Sequence, residues 1–491
     1  MAKKNKKVQE FLGIPYAKPP VGNLRWKAPV KPDPSDRVWE AYYFGDSAMQ
    51  SDNLAILLRE HTQSEDCLTL NIWRTASKDK NDKLKPVLVY VHGGDLAFEG
   101  SAEPLYYGGN FVKKFPEVIV VSFNYRLGIF GFLNIDDVPW ADEYTDSGNL
   151  GIMDQVMALN WVHDNIRSFG GDPDNVMLAG DTMGAYCIKI LSVLKESKDL
   201  FKKALLISVN TFEQEGTYKL PRVIFKDVMK EMGVSTMSEM LNISFDALKQ
   251  FMSDNTDKYW YVPTYGKGIL NINLEQAIKD GETGNIKFIY GIPADEFSAL
   301  LSVGTEEDMN AWGNSAFDDI IKVYEGTKEK DNLIKMFEKY KNDGSDDIEA
   351  KRKTLEFWLY KYDVIRNCIA LSDLGKSVKC FYWEVNSPIK KFGGNSISMI
   401  GALLGNFSSA EELGYLINNT VADVFQHLIY NELSKDNADL TKNEVRGVHE
   451  IKWKSFNSAY PMILHITDDN IELDDNLLIE EINTVKRWNV T

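Results

Sequence analysis

The stretch GDTMGAY, residues 180–186, has nearly the frame of a nucleophile elbow, G-x-S-x-G, and follows the apolar run Val176–Ala179. In that frame the central side chain stands exposed at a tight strand-to-helix turn, where it can attack a carbonyl carbon. Here the central residue is Thr182, between Gly180 and Gly184. Threonine nucleophiles work mainly with an N-terminal amine as base, and Thr182 is internal. These residues therefore point to acyl chemistry at an elbow whose nucleophile has changed.

A second stretch, VYVHGGDLAFEG at residues 89–100, has the pattern of an oxyanion loop. The backbone N–H groups of Gly93 and Gly94, with that of Met183 after the elbow threonine, are the predicted donors to a developing oxyanion. Asp95 follows directly, and a carboxylate beside such a hole would repel the charge that the donors stabilise. Two interpretations stay open: Asp95 faces the hole, or it turns away and caps a local turn.

Short apolar runs alternate with helical patterns along the chain. Strands are predicted over Val87–Val91, Val118–Phe123, Val176–Ala179, Ala204–Ser208, Lys287–Tyr290 and Val378–Tyr382. Their near-continuous apolarity indicates burial on both faces. The spacing of apolar residues in Asp154–Ile166 predicts a helix between two of these strands. This alternation predicts an α/β fold with a large, mostly parallel sheet and helices on both faces.

Two segments without strong strand signals, about 216–262 and 305–370, are predicted to be helical insertions. Ligand sites of open α/β folds lie at the carboxyl ends of the strands, and we expect the insertions to cover that edge. Single α/β units with insertions can reach the length of this chain. The prediction is therefore one domain over residues 1–491.

The composition excludes several classes of protein. A formal net charge of −17 over 491 residues argues against non-specific nucleic-acid binding and against docking on an anionic membrane. No apolar run is long enough to span a membrane and no secretory signal is present in the chain as given, so a cytoplasmic location is favoured. The four cysteines are Cys67, Cys187, Cys368 and Cys380. They form no metal-binding or CxxC pattern, and buried free thiols are expected.

Further motifs occur in a fixed order along the chain. They are FLGIPYAKPPVGNLRW (11–26), SEDCLTLNIW (64–73), NYRLGIFGFL (124–133), GNLGIMDQ (148–155), FGGDPDNV (169–176) and YGIPADEF (290–297). With the elbow and the HGG stretch, this set resembles the type-B carboxylesterase family. That family includes cholinesterases, bacterial para-nitrobenzyl-type esterases and the non-catalytic neuroligin-like adhesion proteins. The resemblance covers nearly the whole chain and implies an α/β-hydrolase fold.

The resemblance also implies a triad of Ser, Glu and His in chain order. Thr182 stands at the nucleophile position, and Glu296 in YGIPADEF stands at the acid position. The segment that would carry the base matches GGNSISMIGALLGN, residues 393–406, in which Ser396 takes the histidine position. A hydroxyl cannot accept a proton at neutral pH as imidazole does. His449 is the best candidate for a migrated base, because a triad is defined by geometry rather than chain position.

Two scaffold ion pairs are implied by the same resemblance. Glu65 is expected to face Arg126, and Arg25 is expected to face Asp172. All four residues are present, and we expect them to be structural.

The residues at the nucleophile and base positions differ from those of the family, whereas the scaffold motifs around them are intact. This combination predicts a carboxylesterase-fold pseudoenzyme. It is expected to be a binding or scaffolding protein for an unknown protein partner, or for a small apolar or ester-like ligand in a vestigial gorge, without metal or organic cofactor. One alternative is a weak or unusual carboxylic-ester hydrolase. There Thr182 attacks with help from a migrated histidine, or from a water held by Glu296 and Ser396. The other alternative is a protein that sequesters a small molecule.

Overall fold

The computed structural model describes residues 3–4, 8–36, 38–51, 62–76, 83–136, 138–209, 225–256, 259–302, 304–388, 392–434 and 451–489. The chain divides into two compact units. Unit 1 comprises residues 1–203 and 220–277, and unit 2 comprises residues 204–219 and 278–491.

The described strands of unit 1 lie side by side in the order β1-β2-β3-β5-β4-β6. They are β1 (Lys3–Lys4), β2 (Val8–Pro15), β3 (Thr69–Thr75), β4 (Lys85–Val91), β5 (Ile119–Phe123) and β6 (Gly171–Asp181). The first four in that order pair antiparallel, whereas β4 pairs parallel with both β5 and β6. Every residue of β5 is buried, as expected for a strand covered on both faces.

Unit 1 also carries the helices that follow these strands. They are α1 (Gly109–Lys114), α2 (Gly128–Gly131), α3 (Leu150–Asn165), α4 (Thr182–Leu191), α5 (Phe225–Glu231), α6 (Met237–Leu241), α7 (Phe245–Asp254) and α8 (Leu274–Lys279), the last of which ends just inside unit 2. The helix α4 starts at the residue after β6 ends, so the candidate elbow is a direct strand-to-helix turn.

Unit 2 has strands in the order β7-β8-β9-β10-β11. They are β7 (Lys203–Ile207), β8 (Lys287–Pro293), β9 (Val378–Glu384), β10 (Ile463–Thr467) and β11 (Ile471–Asp474). Its helices are α9 (Glu306–Val323), α10 (Lys328–Asn342), α11 (Asp347–Glu356), α12 (Asp363–Asp373), α13 (Ser396–Leu404), α14 (Phe407–Glu412), α15 (Asn419–Ser434) and α16 (Ile479–Asn489). A π-helical turn, Phe357–Tyr362, joins α11 to α12. The strand β9 is parallel to both β8 and β10, and β11 is antiparallel to β10.

The periodicity-based predictions are confirmed for all six strand runs and for the helix at Asp154–Ile166, which is part of α3. The described parts of the two insertions are helical, with α5, α6 and α7 in the first and α9 to α12 in the second. Residues 216–224 of the first insertion lie outside the described residues. Because the chain divides into two units, the single-domain interpretation stays a prediction. The placement of the insertions over the sheet edge also stays a prediction.

The predicted ion pairs are wrong in their partners. Arg25 Nε donates to Glu65 Oε2 at 2.7 Å, and Arg126 Nη2 donates to Asp154 Oδ1 at 2.7 Å. Asp172 instead accepts the backbone N–H of Asp174. The physical reason is that Asp154 is fully buried on α3, and a buried carboxylate requires a hydrogen-bonded counter-charge.

None of the helices in the described ranges combines the length and the apolar character that crossing a membrane demands.

Candidate functional site

The elbow in unit 1 has the geometry that its sequence predicts. Thr182 is the first residue of α4 and has φ = +46°, a left-handed conformation that is strained for a β-branched residue. A Cβ at Gly184 would lie 2.4 Å from the carbonyl oxygens of Val91 and His92. Glycine is therefore required for the close approach of α4 to the end of β4.

The predicted oxyanion loop lies directly against this elbow. A Cβ on Gly93 would lie 2.3 Å from Thr182 Oγ1, so the threonine hydroxyl and the glycine α-carbon are neighbours. Met183 is buried in the first turn of α4, and Gly94 has φ = +75°. Asp95 is also left-handed, with φ = +49°. The structure thus brings Thr182 and Gly93 together.

Four carboxyl groups gather around the elbow and this loop. They are Asp95, Glu99, Glu103 and Asp181. Burial raises the pKa of Asp95 and that of Asp181 to about 6, and the pKa of Glu103 to about 8. Burial and then the charge of Asp181 raise the pKa of Glu99 well above its ordinary value. No group of three or more His, Cys, Asp or Glu side chains within the described ranges is placed to hold a metal ion.

Two tyrosines and the elbow threonine contact this acidic group. Tyr90 OH donates to Asp181 Oδ1 at 2.7 Å, Tyr106 OH donates to Glu99 Oε2, and Thr182 Oγ1 lies 3.3 Å from Asp181 Oδ2. Asp95 makes no turn-capping hydrogen bond with any described residue. Of these acids only Asp95 was predicted to lie near the oxyanion loop, although acids at four-residue spacing (95, 99 and 103) carried a signal for two more.

The described histidines of unit 1 do not bond to the elbow hydroxyl. His92 is buried and stacks on Tyr125 with ring centroids 4.4 Å apart. Burial lowers the pKa of His92 to about 3, so the ring is neutral and a weak base. His163 is exposed and lies 3.3 Å from Asp164.

In unit 2 the predicted acid and the residue at the predicted base position are in direct contact. Ser396 donates its backbone N–H to Glu296 Oε2 at 2.9 Å and its hydroxyl to Glu296 Oε1. Both side chains are buried. Ser396 is the first residue of α13, after the N-cap Asn395. The first N–H groups of a helix lack intrahelical partners and carry partial positive charge, so a carboxyl group there is favourable.

Glu356, which the sequence analysis missed, positions the loop that carries this acid. Its Oε1 accepts the N–H of Glu296 at 3.0 Å and its Oε2 accepts that of Phe297 at 3.3 Å. Burial raises the pKa of Glu356 to about 8. Arg352 adds a 2.8 Å ion pair with Asp295. The loop is therefore held on both sides of Glu296.

The two described histidines of unit 2 each lie beside an oxygen atom. His427 Nδ1 lies 2.7 Å from the carbonyl oxygen of Asp423, and His465 Nε2 lies 2.7 Å from Glu384 Oε2. His449, the predicted migrant base, lies outside the described residues. Its role as a base stays a prediction.

Removal of the Ser396 hydroxyl tests whether the contact between Ser396 and Glu296 is structural. We expect Ser396→Ala to lower the free energy of unfolding by roughly 1–3 kcal/mol, because the buried Glu296 loses one of its two donors from this residue. Hydrolysis of p-nitrophenyl esters should stay unchanged. Urea unfolding measures the loss, and Ser408→Ala on the exposed face of α14 is the control, with an expected effect near zero. A drop in ester hydrolysis with unchanged stability would contradict the structural role.

The fold and the elbow define the class of this protein. A strained residue between a strand and the helix that follows it, beside a glycine-rich loop after the neighbouring parallel strand, is the arrangement of an α/β-hydrolase. A carboxylesterase structure from Geobacillus stearothermophilus aligns with a TM-score of 0.82 at 25% identity, over 98% of this chain and 97% of that one. The juvenile hormone esterase of Manduca sexta aligns with a TM-score of 0.77 at 22% identity, over 99% and 97% of the two chains, and shows the fold alone.

The family follows from the sequence comparisons. The profile of the carboxylesterase family matches residues 1–484, and the chain belongs to this family. It is 35% identical to the para-nitrobenzyl esterase of Bacillus subtilis over 318 residues, 62% of this chain and 63% of that protein. It is 31% identical to liver carboxylesterase 1 of Mus musculus over 322 residues, 60% and 55% of the two chains. The match therefore spans less than two thirds of each of these relatives.

Proposed function

We propose that this carboxylesterase-family chain is a pseudoenzyme that does not hydrolyse esters efficiently and acts as a binding or scaffolding protein. The contact between Ser396 and Glu296 carries this proposal. A triad acid holds an imidazole and stabilises the imidazolium that forms during the reaction. Here both carboxyl oxygens of Glu296 accept hydrogen bonds from one serine at the start of α13. The acid therefore has a structural partner in the residue that stands at the predicted base position.

The charges around the elbow support the same proposal. A transition state for ester hydrolysis places negative charge on the carbonyl oxygen, which preorganised donors must stabilise. Asp181 lies next to Thr182 Oγ1, and Asp95 follows the two loop glycines. With pKa values of about 6, both carboxyl groups are largely ionised above neutral pH and would oppose an oxyanion nearby.

One observation favours the alternative, a weak hydrolase that uses Thr182. The elbow keeps its left-handed backbone, and the threonine hydroxyl lies against Gly93 of the predicted oxyanion loop. An oxyanion hole and substrate binding can leave catalysis above the rate in water even when triad members are lost. In unit 1, His92 with a pKa of about 3 is a poor general base at neutral pH.

Hydrolysis of p-nitrophenyl acetate and p-nitrophenyl butyrate separates the two functions. We expect the wild-type chain and Thr182→Ala to agree within about twofold, both near the uncatalysed rate, since neither described histidine of unit 1 bonds to the hydroxyl. Thr182→Ser should also stay near that rate, because a better nucleophile without a base gains little. The initial rates of nitrophenolate release measure the outcome.

A wild-type rate more than tenfold above that of Thr182→Ala would establish the weak hydrolase and refute the pseudoenzyme. Intact-protein mass spectrometry then supplies the direct check, because an acetyl group on Thr182 appears in the wild type and not in the alanine variant. If hydrolysis stays at background, equilibrium dialysis against the amide analogue p-nitrobutyranilide separates the remaining functions. Saturable binding favours sequestration of a small ligand, and its absence favours a scaffold.

A further inference from the structure

Cys368 and Cys380 of unit 2 bring their sulfur atoms together. Cys368 lies on α12 and Cys380 on β9, and the two Sγ atoms are 2.8 Å apart. This separation is only ~0.8 Å longer than a disulfide bond. Both residues are 1% exposed. The separation of 12 positions in sequence matches no cysteine motif, which is why the sequence analysis expected isolated buried thiols.

The backbones on both sides of this pair are fixed by packing. Cys380 is in the middle of unit 2's sheet, opposite Tyr290 of β8, and its carbonyl oxygen accepts a hydrogen bond from Trp453 Nε1 at 3.3 Å. The chain turns between α12 and β9 through Gly375, with φ = +69°, and the N–H of Lys376 donates to the carbonyl oxygen of Leu371. The sulfur atoms therefore face each other across a rigid connection.

We propose that Cys368 and Cys380 form an intramolecular disulfide by exchange with a low-molecular-weight disulfide, such as glutathione disulfide. One cysteine thiolate attacks the glutathione disulfide, which releases one glutathione thiolate and leaves a mixed disulfide. The second cysteine thiolate then attacks the protein sulfur, and the second glutathione leaves. Two protein thiols are oxidised, one disulfide is reduced to two thiols, and the two cysteine protons pass to solvent and the released thiolates.

Cys67 and Cys187 are the internal comparison. Both are buried free thiols of unit 1, whereas the contact between cysteine sulfur atoms joins Cys368 and Cys380. Burial raises the pKa of Cys368 well above the ordinary thiol value, as it raises the pKa of Cys187 to about 12. Thiols of this kind react slowly in the folded state. The bond is therefore expected to form as the chain folds, before α12 and β9 close over the pair.

The test compares full-length protein produced in a reducing and in an oxidising compartment, with in vitro refolding in a buffer of reduced and oxidised glutathione as a second route. Free thiols are alkylated with iodoacetamide under denaturing conditions, and the chain is digested with trypsin. Cleavage after Arg366, Lys376, Lys379 and Lys390 places the two cysteines in peptides 367–376 and 380–390. We expect these peptides to be recovered as one disulfide-linked species in the oxidised sample, with Cys67 and Cys187 alkylated.

Stability gives a second readout. We expect oxidation to raise the thermal midpoint by a few degrees, because the bond restricts the unfolded chain. Cys368→Ala should abolish the rise, and Cys187→Ala, also a buried cysteine, should keep it. Recovery of both peptides with alkylated cysteines after oxidation would overturn the proposal. A disulfide that involves Cys67 or Cys187 instead would overturn it as well.

Discussion

Asp154→Asn is expected to lower the free energy of unfolding of unit 1 by about 3–5 kcal/mol. Asp154 is completely buried, and its two carboxyl oxygens accept hydrogen bonds from Arg126. Asparagine fits the same space but removes the negative charge, so the guanidinium of Arg126 stays buried without a counter-ion. Breaking a buried pair from one side is far more costly than losing a surface pair.

The other contacts of Arg126 are with the backbone and with Asp154 itself. Its Nη1 donates to the carbonyl oxygen of Lys27 at 2.8 Å, and its backbone N–H donates to Asp154 Oδ2 at 3.0 Å. Burial by itself lowers the pKa of Arg126, but the charge and hydrogen bonds of Asp154 raise it above the ordinary value. Asp154 is therefore the main group that stabilises the charged guanidinium.

Asp172→Asn is the matched control for this prediction. Asp172 was predicted to pair with Arg25, and among the described residues its side chain accepts the N–H of Asp174. We expect its replacement to cost a few tenths of a kcal/mol. Urea unfolding, with hydrogen exchange of peptides from α3 to locate the loss in unit 1, measures both variants. Equal effects of the two variants would contradict the prediction, because the buried pair of Asp154 and Arg126 would then contribute no more to stability than the side chain of Asp172.

Local pattern was enough to predict the elements and the elbow. The apolar runs around Val89, Val120 and Leu178 are strands because a continuous apolar stretch bounded by charge or glycine fits a strand buried on both faces. The elbow could be predicted because Gly180, Thr182 and Gly184 sit within five residues of one another. Such features depend on residues that are close in sequence, so they can be recognised from one sequence alone.

Contacts between distant segments could not be predicted in the same way. The partner of Arg126 depends on how α3 packs against the segment that follows β5, and sequence spacing does not fix that packing. Glu356 reaches the Glu296 loop across 60 positions, and the two sulfur atoms of unit 2 meet across a helix-to-strand turn. Each of these pairs needs the folded backbone before its geometry exists.

The buried carboxyl groups around the elbow were also not predicted from the sequence, and they affect the stability of the fold. The resemblance implied donors for an oxyanion, yet folding brings buried carboxyl groups to the same loop. A carboxyl group whose pKa is raised by folding binds its proton more tightly in the folded state than in the unfolded state. Such groups favour the fold at low pH and oppose it at high pH, the reverse of acids held by ion pairs.

Glu103 gives this effect its clearest test, because burial is the sole cause that raises its pKa to about 8. The side chain is 2% exposed, and its Oε2 has no hydrogen-bond partner among the described residues. Its stabilising proton is fully bound below the unfolded pKa near 4.5 and is lost as the pH rises through 8. Since one pKa unit equals about 1.4 kcal/mol, the wild type should lose about 3 kcal/mol from this group between pH 5.5 and 8.

Glu103→Gln has no proton to lose, so its stability should exceed that of the wild type increasingly as the pH rises over this range. Urea unfolding of both proteins at pH 5.5, 6.5, 7.5 and 8.5 measures the difference at each pH, which cancels the titration of groups that both proteins share. Glu117→Gln, which removes an exposed carboxyl group of unit 1, is the control variant. A Glu103→Gln difference that does not change with pH would mean that Glu103 is ionised in the folded protein throughout, and that burial does not hold its proton.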